Sequence, residues 1–163
     1  MKNNDVKLYN MIFPIWLLWL FPVTWIVVLP GNFVIDLLVV LLTMKWLKIT
    51  DIKGKAKSVI LKVWIFGFLA DLIGTIAMFL STLAAEFVES LAIAVYDPFE
   101  NIFAFCWVAA CVVLTAICIY LFNYHYCLNK AELDDVEKKR IALSLAVFTA
   151  PYLFFLPTGL FYY

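Results

Sequence analysis

The fold is decided by residues 32–80, which read NFVIDLLVVLLTMKWLKITDIKGKAKSVILKVWIFGFLADLIGTIAMFL. Two apolar runs in this stretch flank a short segment, 45–57, that holds five lysines and one acidic residue. A helix that crosses a bilayer needs about 20 mostly apolar residues, and the two runs approach or reach this length. Because the lysines between the runs belong in water, the stretch predicts two membrane helices joined by an aqueous loop.

The composition of the whole chain points the same way. Hydrophobic residues make up 66% of the 163 residues and charged residues make up 15%. A soluble domain is about half apolar and about a quarter charged. A chain of this length has too small an interior to hide the excess apolar surface from water. We therefore expect an all-α, multi-pass protein of the cell membrane that forms a single domain over 1–163.

The apolar runs predict five transmembrane helices. Between the first two, Leu29–Asn32 has Pro and Gly at its centre, which favours a tight turn with Asn32 as the cap of the second helix. The stretch 83–96 has apolar residues at four-residue spacing and predicts an amphipathic helix at the membrane interface. Asn129 and Glu132 have the spacing of a capping box before the fifth helix. The predicted spans are about 8–29, 32–47, 59–80, 102–122 and 141–162.

The basic residues set the predicted orientation. Five spans place all twelve bases on one side of the membrane, and the two connections on the other side, 30–32 and 81–101, contain none. Because cytoplasmic loops are enriched in Lys and Arg, the N-terminus is predicted inside and the C-terminus outside. No basic face remains for a nucleic acid. The bases are Lys2, Lys7, Lys45, Lys48, Lys53, Lys55, Lys57, Lys62, Lys130, Lys138, Lys139 and Arg140.

Two carboxylates interrupt the apolar runs, Asp36 in the second predicted span and Asp71 in the third. A charge inside a bilayer costs at least about 2.5 kcal/mol on insertion scales, so such residues usually face a partner or a water-filled cavity. Each lies about eleven residues from the cytoplasmic end of its span, which is roughly 16 Å along a helix. Because the two spans are consecutive and antiparallel, the carboxylates are expected at one depth, where they would share a proton or hold a cation.

Two threonines fall at a similar depth. Thr149 lies in the fifth span just before Pro151, which removes a backbone donor and frees a carbonyl one turn back. Thr115 lies in the fourth span. With the aspartates these residues would form a polar layer, as in ion sites built on interrupted helices. The sequence therefore gives Asp36, Asp71 and Thr149 as the candidate ion or proton site.

Each part of this site also has a purely structural explanation. Asp36 follows Asn32 by about one turn, where a carboxylate would answer the positive N-terminal end of a helix. Asp71 would be a protonated carboxyl bonded to Thr75 or to a backbone carbonyl. A single proline in a membrane helix is often only a kink.

Signatures of enzymes and cofactors are missing from the sequence. There is no His-Glu-x-x-His, no Gly-x-Ser-x-Gly and no phosphate-binding loop. With one histidine and no Cys-x-x-Cys pair, neither a metal site nor a disulfide framework is indicated, and no cofactor is expected. An enzyme is therefore disfavoured, and an integral-membrane enzyme that acts on lipid is the third interpretation. The four cysteines, which read as small buried apolar residues, are Cys106, Cys111, Cys118 and Cys127.

The leading functional interpretation is a small channel or transporter-like protein for protons or small cations. Because five short helices enclose little space, we expect a homo-oligomer or an association with other membrane subunits, in addition to the lipid bilayer. The alternative is a non-catalytic accessory or anchor subunit of a membrane protein complex, docked through the basic 45–57 loop or the charged 129–140 segment. The acidic residues that would attract cations on the outer side are Glu86, Glu89, Asp97 and Glu100.

Overall fold

The computed structural model describes residues 25–84, 98–100 and 102–156. Within these ranges 87% of the residues are helical and there are no strands. Short turns follow two of the helices: a π-helical turn and a 3-10 turn after α3, and a 3-10 turn after α4. The four α-helices are α1 (Trp25–Trp46), α2 (Ile52–Ala84), α3 (Ile102–Phe122) and α4 (Asp135–Phe148).

Three helical stretches in the described part of the chain are long and apolar enough to cross a membrane: Trp25–Trp46, Ile52–Ser81 and Ile102–Ala131. They leave large apolar side chains on the outer surface, such as Val27 and Leu61, which water would not favour. The protein is therefore membrane-embedded and all-helical, as its composition predicts.

The four helices form a closed ring, in which α1 and α3 each contact both α2 and α4. Residues 47–51 alone join α1 to α2, and so short a connection makes the two helices antiparallel neighbours. Two apolar clusters fill the interior of this helix bundle, one towards each end of the helices. The cluster nearer this connection includes Val40, Met44, Val63, Ala70 and Leu145. The second cluster includes Met78, Val108, Val112 and Phe154.

The predicted turn at Leu29–Asn32 is wrong, because α1 passes through these residues without a break. Pro30 removes one backbone donor, but a chain that turned inside an apolar medium would leave several backbone groups without hydrogen bonds. Asn32 is therefore not a helix cap, and the boundary between the predicted spans 8–29 and 32–47 falls inside one helix. The part of the first predicted span before Trp25 lies outside the described residues.

Helix α2 begins before the predicted third span and continues beyond it. Asp51 provides the reason for the early start: its Oδ1 accepts a hydrogen bond from the Gly54 backbone N–H at 3.3 Å, as a helix cap does. The second half of the predicted aqueous loop, residues 52–57, thus forms the first part of α2. The predicted interfacial helix over 83–96 lies outside the described residues, except for its first two residues, which end α2.

Helix α3 has the bounds predicted for the fourth span, and the cap predicted after it is wrong. The capping box consists of Asp134 and Glu137, five residues later in the chain than Asn129 and Glu132. The Glu137 N–H donates to Asp134 Oδ1 at 2.6 Å, and the Asp134 N–H donates to Glu137 Oε2 at 3.0 Å. Glu132 has a left-handed backbone, with φ of 48°, and therefore cannot stand in the first turn of a helix.

The predicted fifth span is not one continuous helix in its described part. Helix α4 ends at Phe148, three residues before Pro151. In a continued helix Pro151 would face the Val147 carbonyl, to which it can donate nothing. The Tyr152 hydroxyl donates to this carbonyl instead, at 2.6 Å, and a 3-10 turn, Tyr152–Phe155, follows. Residues 157–162 of the predicted span lie outside the described residues.

Candidate functional site

A polar layer separates the two apolar clusters. Along α2, Ala70 belongs to one cluster and Met78 to the other, and the buried Asp71 and Thr75 lie between them. The other helices contribute polar residues between the same clusters. The members of the layer are Asp36 on α1, Asp71 and Thr75 on α2, Thr115 on α3, and Thr149 at the end of α4. All four helices therefore bring polar groups to one level of the bundle.

A cavity of about 300 Å³ lies within this layer, between α1, α2 and the end of α4. The structure brings all three candidate residues, Asp36, Asp71 and Thr149, to its wall. Asn32 and Gly67 also line it. None of the described residues that line this cavity is Lys, Arg or His, so its charge-bearing groups are the two carboxyls.

Asp71 is 4% exposed and has an unused hydrogen-bonding atom. Its Oδ2 accepts a hydrogen bond from Asn32 Nδ2 at 3.3 Å, whereas its Oδ1 has no hydrogen-bond partner among the described residues. A buried polar atom without a partner costs about 1–3 kcal/mol. Since Asp71 lines the cavity, a proton, water or cation held there would satisfy Oδ1. The Thr75 hydroxyl donates to the backbone carbonyl of Asp71 at 2.9 Å, so the predicted bond from Thr75 to the carboxyl is wrong.

Asp36 reaches the cavity from α1 and is 5% exposed. A Cβ placed on Gly67 would lie 3.3 Å from Asp36 Oδ2, so the missing side chain of Gly67 gives the carboxyl its room against α2. Asp36 and Asp71 line the same cavity, one from α1 and the other from α2. Asp36 lies in the interior of α1, several turns after Trp25, and the explanation that it answers a helix N-terminus is therefore wrong.

Thr149 supplies an oxygen whose proton is already used. Its Oγ1 donates to the Leu145 carbonyl at 2.8 Å, which leaves the lone pairs of the oxygen as acceptors. Two carboxyls and a hydroxyl oxygen are the kind of donor set that hard cations prefer. The same oxygens can also accept a proton, so the arrangement suits either cargo.

Contacts between α1 and α2 hold the site together. Trp64 Nε1 donates to the Leu29 carbonyl at 2.8 Å, and the Trp64 ring meets Phe33 edge-on with centroids 5.8 Å apart. Leu29 and Phe33 flank Asn32 in the sequence. These contacts therefore place the Asn32 amide where it reaches Asp71.

Sequence reasoning missed Asn32 as a site residue because it was interpreted as a cap. The available signal was its spacing: Asn32 and Asp36 are four residues apart and lie on one face once the helix is continuous. The role of Gly67 against Asp36 was also missed, since it depends on a contact between two helices. Nothing in the sequence pattern indicates that Tyr152 replaces the donor lost at Pro151.

The described residues contain no group of three or more His, Cys, Asp or Glu that could hold a metal ion. The cavity wall carries two carboxyls, an amide and a hydroxyl among apolar residues. No family model, curated protein or solved structure matches the chain.

Proposed function

We propose that this protein is a small channel or transporter-like protein that passes protons or small cations across the cell membrane. The observation that supports it best is Asp71 Oδ1, which has no hydrogen-bond partner in the described part of the chain and belongs to a cavity shared with Asp36 inside an apolar bundle. Buried ionisable residues between membrane helices are costly, and ion or proton pathways are the usual reason for their presence.

In this proposal each residue of the cavity has a separate role. Asn32 orients Asp71 by donating to Oδ2, and Oδ1 is left for the proton or cation. Asp36 and Thr149 supply the other oxygens. The interrupted helix at Thr149–Pro151 forms part of the cavity wall, and many transporters build their ion sites at such interruptions.

The proposed topology has the basic connections in the cytoplasm. Lys55 Nζ donates to the Glu132 carbonyl at 3.3 Å, so the connection after α1 and the one after α3 lie at the same end of the bundle. Lysines at this end fit the positive-inside rule. Trp25 is then at the outer end of α1, and a cytoplasmic N-terminus requires one further crossing before it, which makes five spans with the C-terminus outside.

An accessory or anchor subunit of a membrane complex is the second candidate. It is favoured by Lys53 and Lys57, which are exposed at the start of α2 and free to meet an acidic partner. Lys55 between them is half-buried against Glu132 and contributes to the fold instead. In either case we propose a homo-oligomer or other membrane subunits as partners.

Flux measurements in proteoliposomes distinguish the two candidates. Asp71→Asn is expected to lower proton or cation flux by roughly an order of magnitude or more, because the amide keeps the volume but can neither exchange a proton nor balance a cation. The matched control is Asp51→Asn. Asp51 is exposed and caps α2, and Asn caps about as well as Asp, so flux is expected to stay unchanged.

Size-exclusion chromatography and thermal melting of each variant establish that it is folded. Wild-type flux in a folded Asp71→Asn protein would refute the proposed function. A wild-type protein without flux of protons, Na⁺ or K⁺ would also refute it, and the accessory subunit would then be the better conclusion.

A further inference from the structure

A second, larger cavity runs along the seam between α1 and α4. It is a groove of about 670 Å³, with Leu38 and Leu42 on the α1 side and Ser144 on the α4 side. Leu38 is 51% exposed and Leu42 is 64% exposed, so the groove is open to the surroundings of the bundle. In a membrane-embedded protein these surroundings are lipid chains.

The groove and the aspartate cavity are neighbours. Ile35 and Phe148 line both of them, at the level where α4 ends. The groove extends along α1 from Ile35 to Trp46, roughly 16 Å at the helical rise and about half of a hydrocarbon core. The groove is therefore apolar where it faces lipid, and the carboxyls of Asp36 and Asp71 lie in the neighbouring cavity, next to Ile35 and Phe148.

We propose that this seam admits hydrophobic organic cations from the membrane and binds them with their charge at Asp36 and Asp71. The inference rests on the proposed function and deepens it, since it names a class of cargo for the same carboxyls. A positive group is attracted strongly to carboxylates in a medium of low dielectric, and the apolar body of the cation packs in the groove. A small inorganic ion gains no favourable contact from an apolar groove of this size.

The charge of the site separates this cargo from other occupants of the groove. A phospholipid carries a phosphate, which the two carboxyls repel. The chain's own apolar residues 8–24 contain no Lys, Arg or His, so they offer no counter-charge to Asp36 and Asp71. An organic cation without an anionic group matches both the apolar groove and its carboxyl end.

Binding of tetraphenylphosphonium to the full-length protein, in nanodiscs of zwitterionic lipid, tests the inference by calorimetry. We expect saturable binding to the wild type. Asp71→Asn is expected to weaken it roughly tenfold or more, because this cation keeps its charge at every pH and needs the carboxylate. Leu38→Trp places a large ring in the groove and is expected to weaken binding to a similar degree. Leu61→Trp is the matched control, at a position on α2 that is 59% exposed and not part of the groove.

Small-cation and proton flux, measured on the same proteins, separates this inference from the proposed function. Loss of tetraphenylphosphonium binding in Leu38→Trp with flux retained would support entry through the seam. Binding that Leu38→Trp leaves intact would overturn it, as would equal uptake by all variants, which indicates partition into the lipid. Binding of the cation to the wild type that depends on Asp71, without any flux, would refute the proposed transport function and support the proposed binding site.

Discussion

At the residue scale, the threonine hydroxyls of the polar layer have already donated their protons in hydrogen bonds. Its three threonine hydroxyls each donate to a backbone carbonyl four residues earlier in their own helix, at 2.8–3.0 Å. Such a bond uses the proton of the hydroxyl and leaves its lone pairs. The donor and acceptor pairs are Thr75 with Asp71, Thr115 with Cys111, and Thr149 with Leu145. The carboxylate oxygens and these hydroxyl oxygens can therefore act only as acceptors of further hydrogen bonds or as ligands of a cation. Such a layer favours a cation or a proton over an anion.

Gly74 sets how closely α2 approaches its neighbours in this layer. A Cβ at Gly74 would overlap the Thr115 hydroxyl and lie 3.1 Å from Phe154 Cε2. We predict that Gly74→Ala lowers the free energy of unfolding by about 1–3 kcal/mol, since the helices must move apart. Unfolding in a titration with a denaturing detergent, followed by circular dichroism, measures the change.

Gly31→Ala is the control for this prediction. Gly31 lies in α1, and no atom of the described residues lies within 4 Å of a Cβ placed on it. Alanine is favoured over glycine in a helix by up to about 1 kcal/mol, so this variant should be as stable as the wild type or more so. A Gly74→Ala protein of unchanged stability would show that α2 and α3 are not packed this closely.

At the element scale, polar side chains fix the helix ends on the side of the lysines. Asp51 caps α2, Asp134 caps α4, and Lys55 links the two connections through the Glu132 carbonyl. Asp134→Ala should therefore lower the free energy of unfolding by about 1 kcal/mol, the usual cost of a lost N-cap. Asn at this position keeps the capping acceptor, so Asp134→Asn should remain near wild type. An Asp134→Ala protein as stable as the wild type would show that α4 does not depend on its cap.

The neighbouring Asp135 gives the same end of α4 a pH dependence. Hydrogen bonds from Lys139 Nζ, at 2.7 Å, and from the Tyr124 hydroxyl, at 2.6 Å, lower the pKa of Asp135. A carboxyl whose pKa is lower in the folded state stabilises the fold above its ordinary pKa of 3.8, and this contribution is lost as the pH falls through the lowered value. The stability difference between wild type and Asp135→Asn should therefore be small at neutral pH, because the pair is exposed, and should vanish in strong acid and in high salt. A difference that is independent of both pH and salt would contradict this account.

The helices that the sequence predicted well are those whose signals do not depend on neighbours. The apolar run of α3 has the bounds of the helix itself, because hydrophobicity and length decide a membrane helix. Leu29–Asn32 was mispredicted because Pro-Gly-Asn turns readily in water, whereas a backbone in lipid must keep its own hydrogen bonds. The sequence predicted that Pro151 leaves a backbone carbonyl without its donor. It did not indicate that the Tyr152 hydroxyl donates to this carbonyl, because that contact depends on the conformation of the chain after the helix ends.

The candidate site was predictable to the extent that it depends on depth. Rise per residue placed Asp36 and Asp71 at one level, and a count along the fifth span added Thr149. The partner of Asp71, Asn32, could not be found without knowing that α1 is continuous. The groove beside Leu38 depends on the spacing of α1 and α4, which no local pattern encodes.

At the scale of the whole molecule, the two sides of α4 differ near its C-terminal end. The groove lies between α1 and α4, and α4 stops at Phe148, beyond which the chain continues in a short 3-10 turn instead of a full helix. On the opposite side the same turn is held against α3, where Phe155 contacts Phe105 with ring centroids 5.3 Å apart. The proposed approach from lipid depends on this arrangement, with the end of α4 packed against α3 on one side and bordered by the groove on the other.

The topology of the molecule gives the last prediction. The lysine end of the bundle is proposed to be cytoplasmic, so a membrane-impermeant maleimide should label Glu100→Cys in intact cells and label Lys53→Cys only after permeabilisation. Both positions are exposed, and Cys106, which is also exposed, is first replaced by Ser to remove its background. Since Glu100 precedes α3 and Lys53 lies in the first turn of α2, labelling of both from one side would contradict the proposed bundle.

An N-terminal epitope should be found on the Lys53 side if a fifth crossing precedes Trp25. An epitope on the Glu100 side would limit the chain to the crossings that begin with α1, and the aspartate cavity would keep its place in the bundle while the five-span topology would be wrong.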